Sequence, residues 1–158
     1  MSTYAFIDAQ NVNQAIQGQG WRYDLRKLRV YLADKYGVTK AYFFIGFVSR
    51  NQSLYDHIQN AGFILQFKEV AVLRSGEIKG NIDANLTLFA AKKIADYDKA
   101  VLVSAGGDFS PLVQYWKDED KFKAILSPAT QNRTSQFLKR DAQGYINFMP
   151  DIKNKLER

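Results

Sequence analysis

Ala5-Phe6-Ile7-Asp8-Ala9-Gln10-Asn11-Val12 starts apolar and then breaks into an acid, two amides and small residues. An apolar run this short, bounded by polar turn formers, reads as a buried strand. Asp8 falls at the carboxyl end of that strand and Asn11 in the loop just beyond. In open parallel α/β sheets the carboxyl rim is where ligands bind. The stretch therefore raises one question: whether later acids converge on Asp8 to make a metal site.

Outward from this strand, Asn11 to Gly20 is rich in Gln, Asn and Gly and reads as a loop. Asp24 is an N-cap for a helix over 25–36, with Leu25, Leu28, Tyr31 and Leu32 at helical spacing and Gly37 as its stop. Lys40 to Val48 is a second apolar strand. A helix from Gln52 to Asn60 stops at Gly62, and Phe63 to Phe67 makes a third strand. Arg74-Ser75-Gly76-Glu77 reads as a turn at the tip of a small hairpin formed by Glu69–Leu73 and Ile78. The spacing of Ile82, Leu86, Phe89, Ala90 and Ile94 predicts a helix from Ile82 to Asp96.

Lys99 to Ser104 is a fourth strand, followed by Ala105-Gly106-Gly107-Asp108. Ser110 and Pro111 suit the N-cap and first position of a helix over 111–118. Phe122 to Leu126 is a fifth strand, Ser135 to Asp141 a short helix and Tyr145 to Phe148 a last extended piece. Pro150 to Leu156 closes with a helical turn. Continuous apolar strands alternating with helices predict an α/β fold, a mostly parallel sheet of five to six strands covered on both faces as a three-layer α/β/α sandwich. With no repeat, linker or low-complexity tract, residues 1–158 read as a single domain.

A chain of 158 residues with 46% hydrophobic and 24% charged residues has the ordinary globular mixture and enough length for a real core. It has no cysteine, which excludes disulfides, zinc–thiolate sites and thiol catalysis. The lack of a signal peptide or long apolar run reads as cytoplasmic, with no membrane contact. A net charge of +6 and a pI near 9.4 favour a polyanionic partner. The lone histidine, His57, cannot build a typical histidine metal site.

Three acids stand where the backbone could gather them. Asp8 ends the first strand, Asp108 follows the fourth through Gly106-Gly107, and Asp83 sits in the first turn of its helix. If the first and fourth strands are neighbours at a topological switch point, all three face one crevice. Clustered carboxylates repel and need a compensating charge. Hard oxygen donors with an amide such as Asn11 nearby suit Mg²⁺ or Mn²⁺. Each residue also has a plainer reading. Asp83 can complement a helix dipole, Asp108 and Asn11 can be turn formers, and Ser104 can satisfy the turn that follows it.

Phe6-Ile7-Asp8-x-x-Asn11, Lys79-Gly80-x-x-Asp83, and Leu102-Val103-Ser104-x-x-Gly107-Asp108-Phe109-x-Pro111-Leu112 together resemble the NYN domain, a branch of the PIN-like nucleases in the LabA-like group. Ser135-x-x-Leu138-x-x-x-Asp141-Ala142 fits the terminal region of that pattern. The resemblance covers the whole chain. It implies a PIN-like, Rossmann-like fold and a metal-dependent ribonuclease site, in which the residues matching Asp8, Asp83 and Asp108 bind Mg²⁺ or Mn²⁺ and Asn11 orders them. Lys79 matches a recurrent basic residue that meets phosphate or is simply a solvated loop lysine. Ser104 is a supporting residue. The chain departs from the family at Gly106 and Phe89, where further acids are usual, which leaves three acids and weakens a two-metal scheme.

Trp21 and Arg22 after the Asp8 loop, and Arg133, Lys139 and Arg140 after the fifth strand, are candidates to guide nucleic acid to the crevice. The alternatives are a hydrophobic staple for Trp21 and a solvated helix face for the basic residues. Arg50 and Arg74 are similar candidates. The expected function is a metal-dependent endoribonuclease acting on single-stranded or structured RNA. The alternative is a catalytically weak or inactive RNA-binding or regulatory module on the same fold. A nucleotide-binding domain is disfavoured by the absence of a dinucleotide glycine fingerprint and of a P-loop. A homodimer is compatible with the composition, although no stretch identifies an interface.

Overall fold

The computed structural model describes residues 1–158 except Val70, Leu73, Gly76, Glu77, Gly80 and Asn81, and describes Glu69, Ala71, Val72, Ile78 and Lys79 by backbone alone. The strands are β1 (Thr3–Asp8), β2 (Lys40–Phe47), β3 (Ile64–Glu69), β4 (Ala71–Val72), β5 (Ile78–Lys79), β6 (Lys99–Val103), β7 (Phe122–Ser127) and β8 (Ile146–Phe148). The helices are α1 (Ala9–Gly18), α2 (Leu25–Tyr36), α3 (Gln52–Asn60), α4 (Ile82–Lys92), α5 (Ser110–Asp118), α6 (Gln136–Ala142) and α7 (Lys153–Leu156).

All six residues of β1 are buried, and they alternate between two cores. Ala5 and Ile7 pack with Val12, Leu28, Leu32 and Ile58 from α1, α2 and α3. Tyr4 and Phe6 pack with Leu86, Leu112, Val113 and Trp116 from α4 and α5 on the other face. A strand buried on both sides needs helices on both sides, which is why its sequence is apolar without alternation. The main sheet runs β3-β2-β1-β6-β7-β8, and every pairing in it is parallel. It is thus fully parallel with six strands, the upper end of the expected range. β4 and β5 form the small antiparallel hairpin at the expected place. Arg74 and Ser75 lie in its turn, while Leu73, Gly76 and Glu77 fall outside the described residues.

The chain steps outward from β1 to β2 and β3, then returns past β1 to lay down β6, β7 and β8. β1 and β6 are hydrogen-bonded neighbours, from Thr3 opposite Lys99 to Ile7 opposite Val103. The topological switch therefore lies between their carboxyl ends, where Asp8 and Ser104 emerge.

Three expectations need correction. Asn11 to Gly20 is not a loop: α1 occupies Ala9–Gly18, with Ala9, Val12 and Ile16 buried along one face. Those three apolar positions at i, i+3 and i+7 outweigh the Gln and Asn residues, which face outward. The helix predicted over 82–96 breaks: α4 ends at Lys92, Lys93 leaves helical geometry and Ile94–Asp96 form a separate 3₁₀ turn. Ser110 does not cap α5; Phe109 holds that position without a side-chain cap, and Ser110 is the first helical residue. By contrast, Asp24 caps α2 by accepting the Lys27 N–H at 2.9 Å, and Gly37 ends it with φ 72°.

The second core carries one buried polar chain. Trp116 Nε1 donates to the Tyr97 hydroxyl at 2.8 Å, which donates to the Ala90 carbonyl at 2.6 Å. Tyr97→Phe strands both partners away from water, so a loss of about 2 kcal/mol is expected in denaturant unfolding. No helix among the described residues is long and apolar enough to cross a membrane.

Candidate active site at the β1–β6 rim

Asp8 is 5% exposed. It lies two residues beyond Phe6 on the strand and so projects to the same face, toward α4. Its carboxylate is held from two sides: Oδ1 accepts the Asn11 N–H at 3.4 Å, and Oδ2 accepts the Ser104 hydroxyl at 3.4 Å. The first bond makes Asp8 the N-cap of α1. The strand end and the helix start thus share one side chain, which helps explain why the chain turns where it does.

Asn11 ties β1 to β6. Its Oδ1 accepts the Ala105 N–H at 2.9 Å and lies 3.3 Å from Ser104 Oγ. Ser104 is fully buried, and its single hydroxyl proton is shared between Asp8 and Asn11 while its oxygen accepts the Gly106 N–H at 3.2 Å. Ser104 therefore serves both of the readings open for it, the acid and the turn.

Asp83, in the first turn of α4, stands between the other two acids. Asp83 interacts electrostatically with Asp8 on one side and with Asp108 on the other. Burial first, and then the neighbouring Asp83 charge, push the Asp8 carboxyl up from 3.8 to about 6; the Asn11 N–H and Ser104 bonds pull the other way. Burial and the Asp108 charge raise Asp83 as well. These shifts are what carboxylates gathered without a counter-charge should show. Among the described residues no ion pair reaches any of the three.

Asp108 is exposed on the turn after Gly106-Gly107. Neither glycine has positive φ, so backbone freedom is not what the turn needs here. Gly107 is small because of a close approach: a Cβ there would meet Ser135 Oγ at 2.7 Å. Ser135 donates its N–H to the Ala105 carbonyl at 3.1 Å, and its hydroxyl accepts the Phe137 N–H to cap α6. The Asp108 turn is thereby docked on the start of α6. Behind it Ser110 Oγ donates to Asp141 Oδ2, while Arg140 Nε donates to Asp141 Oδ1 at 3.0 Å, joining α5 to α6.

Among the described residues no three acid, histidine or cysteine side chains close into a ready coordination set; the three acids stand in a row with Asp83 in the middle. That donor chemistry still fits Mg²⁺ or Mn²⁺. Mg²⁺ keeps several waters and is held by one or two carboxylates plus substrate phosphate. A row of hard oxygens in which Asp8 and Asp83 hold their protons more tightly than usual is short of positive charge, which such an ion supplies. Phe89 contributes no ligand: it packs on Phe6, Tyr42 and Phe44 at centroid distances of 6.5, 5.0 and 5.4 Å.

The candidate nucleic-acid contacts divide by position. Trp21 packs on the α1–α3 core, donates Nε1 to Gln19 at 2.9 Å and carries Lys153 over its ring. With the exposed Arg22 it lines a cleft of about 470 Å³ shared with Tyr23, His57 and Arg158, apart from the acids. Arg133 is exposed in the turn Gln131–Arg133 leading to α6. Lys139 Nζ donates to the Gln131 carbonyl, and Arg140 is committed to Asp141. Lys79 lies on β5, and its side chain is outside the described residues. Sequence reading placed Ser110 at a helix start and Ser135 in the terminal motif without their contacts to Asp141 and to the Asp108 turn, and it passed over Phe137, whose only signal was an aromatic following a capping serine.

A six-stranded parallel sheet flanked by helices on both faces is consistent with a PIN-like three-layer sandwich. The NYN domain model matches residues 2–151, and the chain belongs to the NYN domain family, which is of nuclease type. The chain is 22% identical to the low amplitude and bright protein LabA of Synechococcus elongatus, an alignment covering 97% of this chain and 86% of that protein. The crystal structure of a protein of unknown function from Vibrio parahaemolyticus superposes with a TM-score of 0.78 at 22% identity, covering 99% of this chain and 96% of that one. That likeness concerns the fold.

Proposed function

We propose that the protein is a metal-dependent endoribonuclease that hydrolyses RNA phosphodiester bonds, with Asp8, Asp83 and Asp108 holding Mg²⁺ or Mn²⁺. The observation that carries this reading is the row of three carboxylates at the switch point, two of which, Asp8 and Asp83, are raised in proton affinity by burial and by a neighbouring acid. NYN domains act on RNA, and the net charge of +6 favours a polyanion. When bound, such an ion lowers the pKa of an attacking water and neutralises developing charge on phosphate.

The chain's own residues have separable tasks in this scheme. Asp8 is the fixed ligand, aimed by the Asn11 N–H and the Ser104 hydroxyl. Asn11 orients rather than reacts, since its oxygen is occupied by Ala105 and Ser104. Asp83 joins the buried acid to the exposed Asp108, the acid best placed to meet substrate-side water. Arg133 lies on the α6 side of the rim, where a phosphate backbone would pass.

Cleavage of a labelled RNA in Mn²⁺, in Mg²⁺ and in EDTA tests the reading: cutting with either ion that stops in EDTA supports it. Gly107→Ala probes the turn, because its methyl collides with Ser135 and shifts Asp108. Cleavage should fall roughly 10- to 100-fold, the range found when groups that orient metal ligands are disturbed. A Gly107→Ala protein as active as wild type would show that the turn does not set the geometry.

One observation favours the second reading, an RNA-binding module with weak turnover. Phe89 is locked in the aromatic core and Gly106 has no side chain, so two positions that usually carry acids supply none. RNA binding without cutting under any of the three conditions identifies that module.

A further inference from the structure

Phe137 is the second residue of α6 and leaves 57% of its surface in water, while its neighbour Leu138 is fully buried. Its position beside the acids is specific. A Cβ built on Gly107 would lie 3.5 Å from Phe137 Cδ2, so the ring sits against the glycine that precedes Asp108. Arg140 stands over one ring face, 5.1 Å from the centroid, and is itself held by Asp141 and Ser110. Because Ser135 binds both the Ala105 carbonyl and the Phe137 N–H, the ring and the Asp108 turn belong to one docked unit. Arg133, three residues before the α6 helix, adds exposed positive charge on the same side.

We propose that Phe137 stacks an unpaired RNA base beside the acid row, so that the site selects single-stranded over duplex RNA. The proposal rests on the RNA reading above and adds the residue that sets the strand preference. A phenyl face is sequence-tolerant, because every base presents a π face to it. A base inside an A-form duplex has both faces covered by its neighbours, so it must leave the stack before a side chain can take it. The guanidinium behind the ring backs the platform and adds positive charge near the phosphates. The pairing of exposed aromatic and charge argues for nucleic acid rather than for a second protein copy on this patch.

The experiment compares wild type, Phe137→Ala, Phe137→Leu and Phe137→Tyr. Anisotropy in EDTA measures binding of a labelled single-stranded RNA and of a blunt-ended duplex of the same length, and cleavage in Mn²⁺ gives kcat and KM. Phe137→Ala and Phe137→Leu should weaken single-strand binding roughly 5- to 100-fold, the effect of losing one stacked base. KM should rise in parallel with little change in kcat. Phe137→Tyr should retain wild-type affinity, and binding of the blunt duplex should be weaker and insensitive to all three changes. Equal single-strand affinity in wild type and Phe137→Ala overturns the proposal, as does full affinity in Phe137→Leu, which would make the contact merely apolar. A change of oligomeric state in Phe137→Ala with RNA affinity unchanged assigns the patch to a second copy and also overturns it. Wild type that cuts RNA with an indifferent Phe137→Ala sinks the stacking alone; wild type that neither binds nor cuts RNA sinks the functional reading as well.

Discussion

Asp8→Asn should reduce metal-dependent RNA cleavage by roughly 1,000-fold, equivalent to about 4 kcal/mol of transition-state stabilisation. The substitution removes one charge and almost no volume. Asn remains an excellent N-cap, so the bond from the Asn11 N–H and the start of α1 survive. With the amide oxygen at the cap, the new NH₂ takes the place of Oδ2, so the Ser104 hydroxyl accepts from it and keeps its own proton for Asn11. What is lost is the buried negative charge, which is the part a divalent ion needs. The loss should exceed the 10- to 100-fold typical of groups that only orient ligands. Cleavage kinetics over a range of Mn²⁺ concentration check it. Recovery of the variant at high Mn²⁺ would identify Asp8 as a contributor to affinity alone.

The second large effect is in stability, and it runs the opposite way. Folded Asp8 titrates at about 6 against 3.8 ordinarily. The folded state therefore holds this proton more tightly than the unfolded chain. Stability from it is complete below about pH 4 and is lost as pH rises through about 6, a change of about 3 kcal/mol. Asp83 is raised too, so it acts in the same direction. In EDTA at pH 7, Asp8→Asn should melt higher than wild type, by roughly 6–10 °C for a domain of this size. Near pH 4 the two should converge. Mn²⁺ should stabilise wild type, more strongly above pH 6 where the carboxyl has lost its proton, and leave the variant unmoved. Thermal melts at pH 4, 5.5 and 7 with and without Mn²⁺ contain the whole test. A wild type that melts higher than Asp8→Asn in EDTA at pH 7 would mean that the acid row carries no strain.

The contrast between these two expectations separates a functional acid from a structural one. Asp141 is buried like Asp8, but it accepts from Arg140 and Ser110, and its carboxyl is held below the ordinary value. That acid is matched with its partners and contributes to the fold. Asp8 has donors on both oxygens and still resists ionisation, because burial strips its carboxylate of water and its charged neighbour is another acid.

Most of the sheet was legible because two-sided burial writes a continuous apolar run: Ala5–Ile7, Ala41–Phe44 and Val101–Val103 each show it. Asp24 and Gly37 were equally plain, since caps are local chemistry. α1 was hidden because its signal is three small or branched residues among Gln and Asn, and because Asp8 is both strand end and helix cap. Ser110 was misassigned for a related reason. The Ser-Pro pair has cap chemistry, yet the hydroxyl is drawn across to Asp141 on another helix, a contact that spacing does not reveal. The acid row could be named from motif order and chain topology, but the sharing of Ser104 between Asp8 and Asn11 depends on side-chain direction at the strand ends. Phe137 was invisible for the simplest reason: an aromatic in an amphipathic helix looks like core until the helix is turned toward its neighbours.

The bond between Ser104 and Asp8 spans 96 residues of sequence. Asp8 is therefore made early and stays incomplete for most of synthesis. β2 and β3 can pair with β1 while β6 is still missing, yet that partial sheet ends at β1 with a bare acid. Only after β6 and the turn carrying Asp108 arrive, and α6 has docked beneath that turn, do all the parts of the site coexist. A chain cut short before β6 would therefore hold Asp8 without its Ser104 donor and without Asp108. The acid row is thus a product of the whole sheet and of no shorter piece of it.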